Sequence, residues 1–195
     1  MREFLDYLNG LTNRAPLDEL LKWQCRLEIG TDELREFMQF DVENYKRNLV
    51  KEGPYYRVLV LCWAAGQCSP IHDHAGSTCA VRVIQGVASE TIYQQAEHEV
   101  LQHTSHWVAS DVFGGSDGDI HAVGNFAIDD SPLVTLHVYS PPLVRMGLYS
   151  LMDGRLVEQP ALIAASNPAP VVAPIAPIVR RHSVASTVPP QTATA

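Results

Sequence analysis

Between Pro16 and about Arg47 the apolar residues Leu17, Leu20, Leu21 and Ile29, then Leu34, Phe37, Met38 and Val42, recur at intervals that lay a stripe along a helix. Thr31, followed by Asp32 and Glu33, reads as a helix start, since a hydroxyl caps free N–H groups and acids suit the positive end of the helix dipole. Two or three helices are expected here. From Tyr55 onward the pattern becomes β-branched and aromatic runs broken by Gly, Pro, Asp and Ser: YYRVLVLCW, STCAVRVIQG, SETIYQ, HWVAS, IHAVGN and LVTLHVYS. Short strands without helical patterns between them predict an antiparallel sandwich or barrel of the jelly-roll kind. The fold class expected is mainly β (α+β), a jelly-roll β-barrel behind N-terminal helices.

After about residue 158 the character shifts again. Seven of the thirteen prolines fall there and no aromatic residue occurs beyond Tyr149, so this stretch has little to bury. Repeats such as APVVAPIAPIV favour extended chain. The expectation is one domain over residues 1–158 and a Pro/Ala-rich tail, disordered or loosely wrapped, over 159–195; a chain of 195 residues suits one buried core rather than two.

Charge narrows the partners. A net charge of -8 and a pI near 5.4 leave no basic footprint for nucleic acid. No apolar run approaches the roughly eighteen residues that span a bilayer, and the acids in MREFLDYLNG do not suit a signal peptide, so no membrane partner and a cytoplasmic monomer are expected. Cys25, Cys62, Cys68 and Cys79 are irregularly spaced, which argues against disulfides in a reducing compartment and against a CxxC metal site.

The chemistry lies in the histidines. In Ile71-His72-Asp73-His74 the two imidazoles at i and i+2 share one face of a strand and can chelate one ion. His121, shortly after glycine-rich turns, is the candidate third ligand. Three neutral nitrogens leave a divalent ion its full charge and open positions for anionic ligands; a thiolate with dioxygen suits such a site, and so does zinc activating water. His98, His103 and His106, around a polar hairpin, are expected to face water.

The spacing Gly66, His72, His74, Gly86 resembles the first motif of the cupin superfamily, with Cys79 where a glutamate is usual. Gly118, His121 and Asn125 match the second, in which Ser116 replaces a proline. From about Tyr45 to about Tyr149 the chain is similar to the cysteine dioxygenase family of thiol dioxygenases, through YKRNLV, LCW, IHDH, Cys79, IQG, IHAVGN and LHVYSPP.

That resemblance implies iron(II) on His72, His74 and His121, with cysteine bound through its sulfur and amine. Arg47 would grip the substrate carboxylate through its planar fork, and Tyr45 would add a hydroxyl contact. Thr135, His137 and Tyr139 share a strand face and would form a relay, with threonine where serine is usual. Tyr139, His137 and Cys79 are thus the expected catalytic residues, and a thioether between Cys79 and Tyr139 is expected. The implied activity is dioxygenation of L-cysteine to cysteine sulfinate. Another small thiol such as 3-mercaptopropionate, a non-catalytic metal-binding cupin sensor, and a zinc hydrolase or isomerase are the alternatives; Arg47 argues against cysteamine, which has no carboxylate.

Overall fold

In a computed structural model the chain is described over residues 1–159 apart from 98 and 154. Three helices, α1 (Arg2–Asn9), α2 (Leu17–Arg26) and α3 (Thr31–Leu34), lead through a 3-10 turn at Arg35–Phe37 into eleven strands. These are β1 (Lys46–Gly53), β2 (Tyr56–Trp63), β3 (Ile71–His72), β4 (Thr78–Gln85), β5 (Val87–Gln95), β6 (Val100–Val108), β7 (Val112–Gly115), β8 (Ile120–Gly124), β9 (Leu133–Ser140), β10 (Leu148–Met152) and β11 (Arg155–Gln159). They form a five-stranded sheet ordered β1-β2-β9-β4-β7 and a six-stranded sheet ordered β11-β10-β3-β8-β5-β6, with every strand pairing antiparallel. The expected mainly β architecture, antiparallel sheets behind N-terminal helices, is present. Among the described residues no helix is long and apolar enough to cross a membrane.

β2 and β9 are buried along nearly all of their length because both of their faces are covered. On one face Val58, Val60, Cys62, Val134, Leu136 and Val138 pack under Phe4, Leu8 and Leu20 of the helices. On the other, Leu59, Leu61, Trp63, Leu133 and Tyr139 meet Ala88, Phe113 and Val123 in the interior. Period-two alternation therefore turns Thr135, His137 and Tyr139 inward while their neighbours anchor the helices. Gln24 fastens α2 down: it is fully buried, and its amide donates to the carbonyls of Ala80 and Leu136, both at 3.3 Å.

Several boundaries differ from the sequence expectation. The helical pattern up to Arg47 stops at Phe37, and Tyr45 and Arg47 belong to the approach and opening of β1, because pairing with β2 overrides local spacing. Helix α1 was not anticipated; it buries Phe4 and Leu8. Gly30, not Thr31, occupies the cap of α3, and the Glu33 carboxylate accepts its N–H at 3.0 Å. Of the segment expected as a tail, Gln159 closes β11, and the remainder lies outside the described residues.

Gly86 makes the tight link between β4 and β5 with φ +82°, and a Cβ there would stand 2.6 Å from the Pro132 carbonyl oxygen. Left-handed backbone costs a non-glycine residue about 1–2 kcal/mol before any clash. Gly86→Ala should therefore lower unfolding free energy by about 2 kcal/mol or more in urea denaturation; an unchanged midpoint would contradict this account of the turn.

Candidate metal centre

The site lies between the sheets. Tyr45, Arg47, Cys79, His137 and Tyr139 come from the five-stranded sheet or its approach, and His72 and His121 from the six-stranded one. His72 and His121 are direct partners across β3 and β8. The strand expected to carry both histidines of His-x-His ends at His72, so His74 stands in the turn that follows, beside Ala75 and Gly76 at positive φ. Asp73 points the other way and locks this turn to the lead-in and start of β10: it accepts from Gly147 N–H at 2.9 Å, Ala75 N–H at 3.0 Å and Tyr149 O–H at 2.8 Å.

The imidazoles of His72, His74 and His121 converge, each offering a nitrogen within 4.8 Å of the others, and all three are buried. His72 Nδ1 lies 3.0 Å from the Pro70 carbonyl and His121 Nδ1 lies 2.8 Å from Glu90 Oε1. Those acceptors require a proton on Nδ1, which leaves each Nε2 as a lone pair. Both ring nitrogens of His74 are buried and make no well-formed hydrogen bond among the described residues, the Ser116 backbone being a nearby acceptor. Burial holds His72 well below its ordinary pKa, with the neighbouring imidazoles adding to the effect, and takes His74 down to about 4 despite the Ser116 backbone and two nearby aspartates. An orphaned nitrogen and three imidazoles converging on one point fit a divalent ion; imidazole suits zinc and iron alike.

Around this point lies a small cleft between the two sheets. Leu61, Trp63, Val123 and Met146 supply apolar wall, and Arg47 is the one Lys or Arg among the lining residues. The Arg47 guanidinium stands 6.0 Å from the centre of the Tyr139 ring, and Tyr45 stacks on Trp63 at 4.2 Å. No carboxylate lines the cleft, so its field favours an anion.

Behind Tyr139 runs a buried chain of hydrogen bonds. Trp63 Nε1–H donates to Thr135 Oγ1 at 3.0 Å, Thr135 Oγ1 lies 2.9 Å from His137 Nε2, and His137 Nδ1 lies 3.3 Å from the Tyr139 hydroxyl. Burial and the Arg47 charge keep His137 neutral, so the arrangement that uses every donor runs from Thr135 O–H to Nε2 and from Nδ1–H to the Tyr139 oxygen. The Tyr139 proton is then free for the cleft and for Cys79, its register partner and hydrogen-bonding neighbour. Burial pushes the Cys79 thiol up to about 12 and the Tyr139 hydroxyl well above its usual range, so both stay protonated.

Sequence reasoning passed over Glu90, Trp63 and Met146. Glu90 sits in SETIYQ, where an acid reads as solvent-facing, yet it is buried against His121. Trp63 reads as core, and Met146 follows the last apolar strand pattern with no motif to mark it. His103 and His106 are exposed as expected, and His98 lies outside the described residues.

The neutral state of His74 carries a pH signature. The unfolded chain takes up protons at histidines near pH 6.5 while folded His74 resists down to about 4, so across this window the unfolded state binds more protons and stability rises with pH. The metal-free protein should lose roughly 3 kcal/mol from this group as pH falls through the window. Thermal melts from pH 7 to 4.5 should show a steeper decline for the native chain than for His74→Gln; equal slopes would refute it.

Comparisons with known proteins find relatives of one family. The chain is 34% identical over 119 residues to cysteine dioxygenase type 1 of Danio rerio, covering 55% of this chain and 56% of the relative. It is 32% identical over 126 residues to cysteine dioxygenase type 1 of Homo sapiens, covering 59% and 60%. It thus spans somewhat over half the length of these relatives. Among solved structures, a protein with a double-stranded β-helix domain from Klebsiella pneumoniae aligns at 22% identity and a TM-score of 0.48, over 63% of this chain and 96% of that one. The family model described as cysteine dioxygenase type I matches residues 11–151, from the end of the first helix through β10, and the chain belongs to that family.

Proposed function

We propose that the protein catalyses the iron(II)-dependent addition of both atoms of dioxygen to the thiol of L-cysteine, giving cysteine sulfinate. The observation that carries this reading is the pairing, in one small cleft, of three neutral imidazoles with Arg47 as the sole lining cation. Membership of the cysteine dioxygenase type I family and relatives named cysteine dioxygenase support it. Iron(II) on His72, His74 and His121 would supply open positions at which a thiolate and dioxygen meet.

The chain's own residues account for selectivity. Arg47 receives the carboxylate in a bidentate, charge-assisted contact, and Tyr45 adds a hydroxyl beside it. Leu61, Trp63, Val123 and Met146 keep water from the remaining volume. Tyr139, its oxygen fixed by His137 Nδ1–H, presents a proton to the developing oxygen charge on the product. The proximity of Cys79 to the Tyr139 hydroxyl supports a thioether between them. The four cysteines are free, which agrees with a reducing, cytoplasmic setting. A monomer is proposed, with one catalytic domain over residues 1–158.

The same cleft also suits 3-mercaptopropionate, which carries both thiol and carboxylate. Oxygen uptake by the iron-loaded protein should favour cysteine, with mass detection of a gain of two oxygen atoms; no uptake with any small thiol would end the proposal. Arg47→Ala should raise KM for cysteine 30- to 100-fold, equivalent to about 2–3 kcal/mol of lost charged hydrogen bonding. Equal KM values would remove Arg47 from substrate binding. Peptide mass spectra should also show the Cys79 and Tyr139 peptides joined and lighter by two hydrogen atoms, a species lost in Cys79→Ser.

A further inference from the structure

Glu90 is a buried carboxylate with no lysine or arginine partner among the described residues. It is 6% exposed on β5, one diagonal step from His121 on β8. One oxygen, Oε1, lies 2.8 Å from His121 Nδ1, and the other, Oε2, accepts from Trp107 Nε1–H at 3.1 Å. Trp107 is held in turn by stacking on Phe113, with ring centres 5.0 Å apart and planes inclined by 11°. Burying a carboxylate against only two N–H donors, with no lysine or arginine beside it, is costly. The cost is recovered if positive charge sits on the far nitrogen of the same imidazole, since a cation at Nε2 polarises Nδ1–H toward the carboxylate.

We infer that Glu90 is the positioning residue and buried countercharge of the metal centre, acting through His121: it fixes the Nδ1–H tautomer, aims Nε2 inward and offsets the charge of the bound ion, with Trp107 holding its second oxygen. This rests on the three-histidine centre binding a divalent metal. It adds an anion to a centre whose three ligands are neutral and whose cleft otherwise carries only the Arg47 charge.

The test is metal affinity, measured on the full chain by anaerobic competition between iron(II) and a chelator, with the tautomer read by nitrogen-15 histidine spectra of the zinc-loaded protein. Glu90→Ala should weaken iron(II) binding about 10- to 100-fold, in line with losses at such supporting contacts. Glu90→Gln alone would set its amide N–H against the Trp107 N–H, so the companion variant is Glu90→Gln with Trp107→Phe, which keeps an acceptor for Nδ1–H but no charge. That double variant should bind iron(II) with intermediate affinity and retain the slowly exchanging His121 Nδ1 proton, which Glu90→Ala should lose. If Glu90→Ala fails to fold, the double variant decides the matter by its weaker binding. Affinities within about twofold of the native chain in the folded variants would overturn the inference, as would metal on His121 Nδ1. A native chain that takes up neither iron(II) nor zinc would overturn the metal centre and this role together. Expected losses of affinity without oxygen uptake on cysteine would leave Glu90 in its role and remove the proposed reaction.

Discussion

Three imidazoles buried within a few ångströms of one another can hold one ion only when each is neutral and its lone pair faces the others. Desolvation enforces the first condition at His72 and His74, where the charged form is disfavoured by burial and by the neighbouring rings. The second depends on what stands behind each ring: the Pro70 carbonyl for His72 and the Glu90 carboxylate for His121, both of which fix the proton on Nδ1. A protein interior tolerates such a concentration of unpaired acceptors only if something fills it. The buried nitrogens of His74, which make no well-formed hydrogen bond among the described residues, show that the fold keeps this arrangement ready without a protein donor of its own.

The two-sheet architecture follows from the same demand. A polar site of this kind needs walls on all sides, and strands buried on both faces supply them. β9 is fully buried along its length, so alternate residues serve two tasks: Val134, Leu136 and Val138 hold the helices, and Thr135, His137 and Tyr139 face the cleft. Arg47 reaches the same cleft from the edge strand β1, where a half-buried position leaves the guanidinium some hydration while its charge lowers the proton affinity of His72 and His137. The helices, remote from the chemistry, cover the outer face of the sheet that carries most of it.

Much of this was legible in the chain. Turn-punctuated β runs, the His-x-His pair, a later histidine in a glycine-rich context and the alternation in LVTLHVYS are local patterns, and local backbone geometry converts them directly into faces and directions. Arg47 falls on β1, although the apolar spacing from Leu34 to Val42 continues a helical rhythm that strand pairing interrupts. His74 was assigned to a strand that ends two residues before it, yet reaches the same point, since a turn pinned by Asp73 can aim a side chain as well as a pleat can.

Composition and period alone determined the fold class, the absence of a basic surface and which residues carry nitrogen, sulfur or guanidinium. Tertiary structure alone decided which of them meet. Glu90 is the clearest instance: its sequence surroundings suit a solvated strand face, and only the pairing of β5 with β8 and β6 places it between His121 and Trp107. Burial and partnership are properties of segments far apart in the chain, so no local pattern can encode them. A side chain's chemistry is fixed by its residue type, but its protonation, tautomer and direction are fixed by what folds against it.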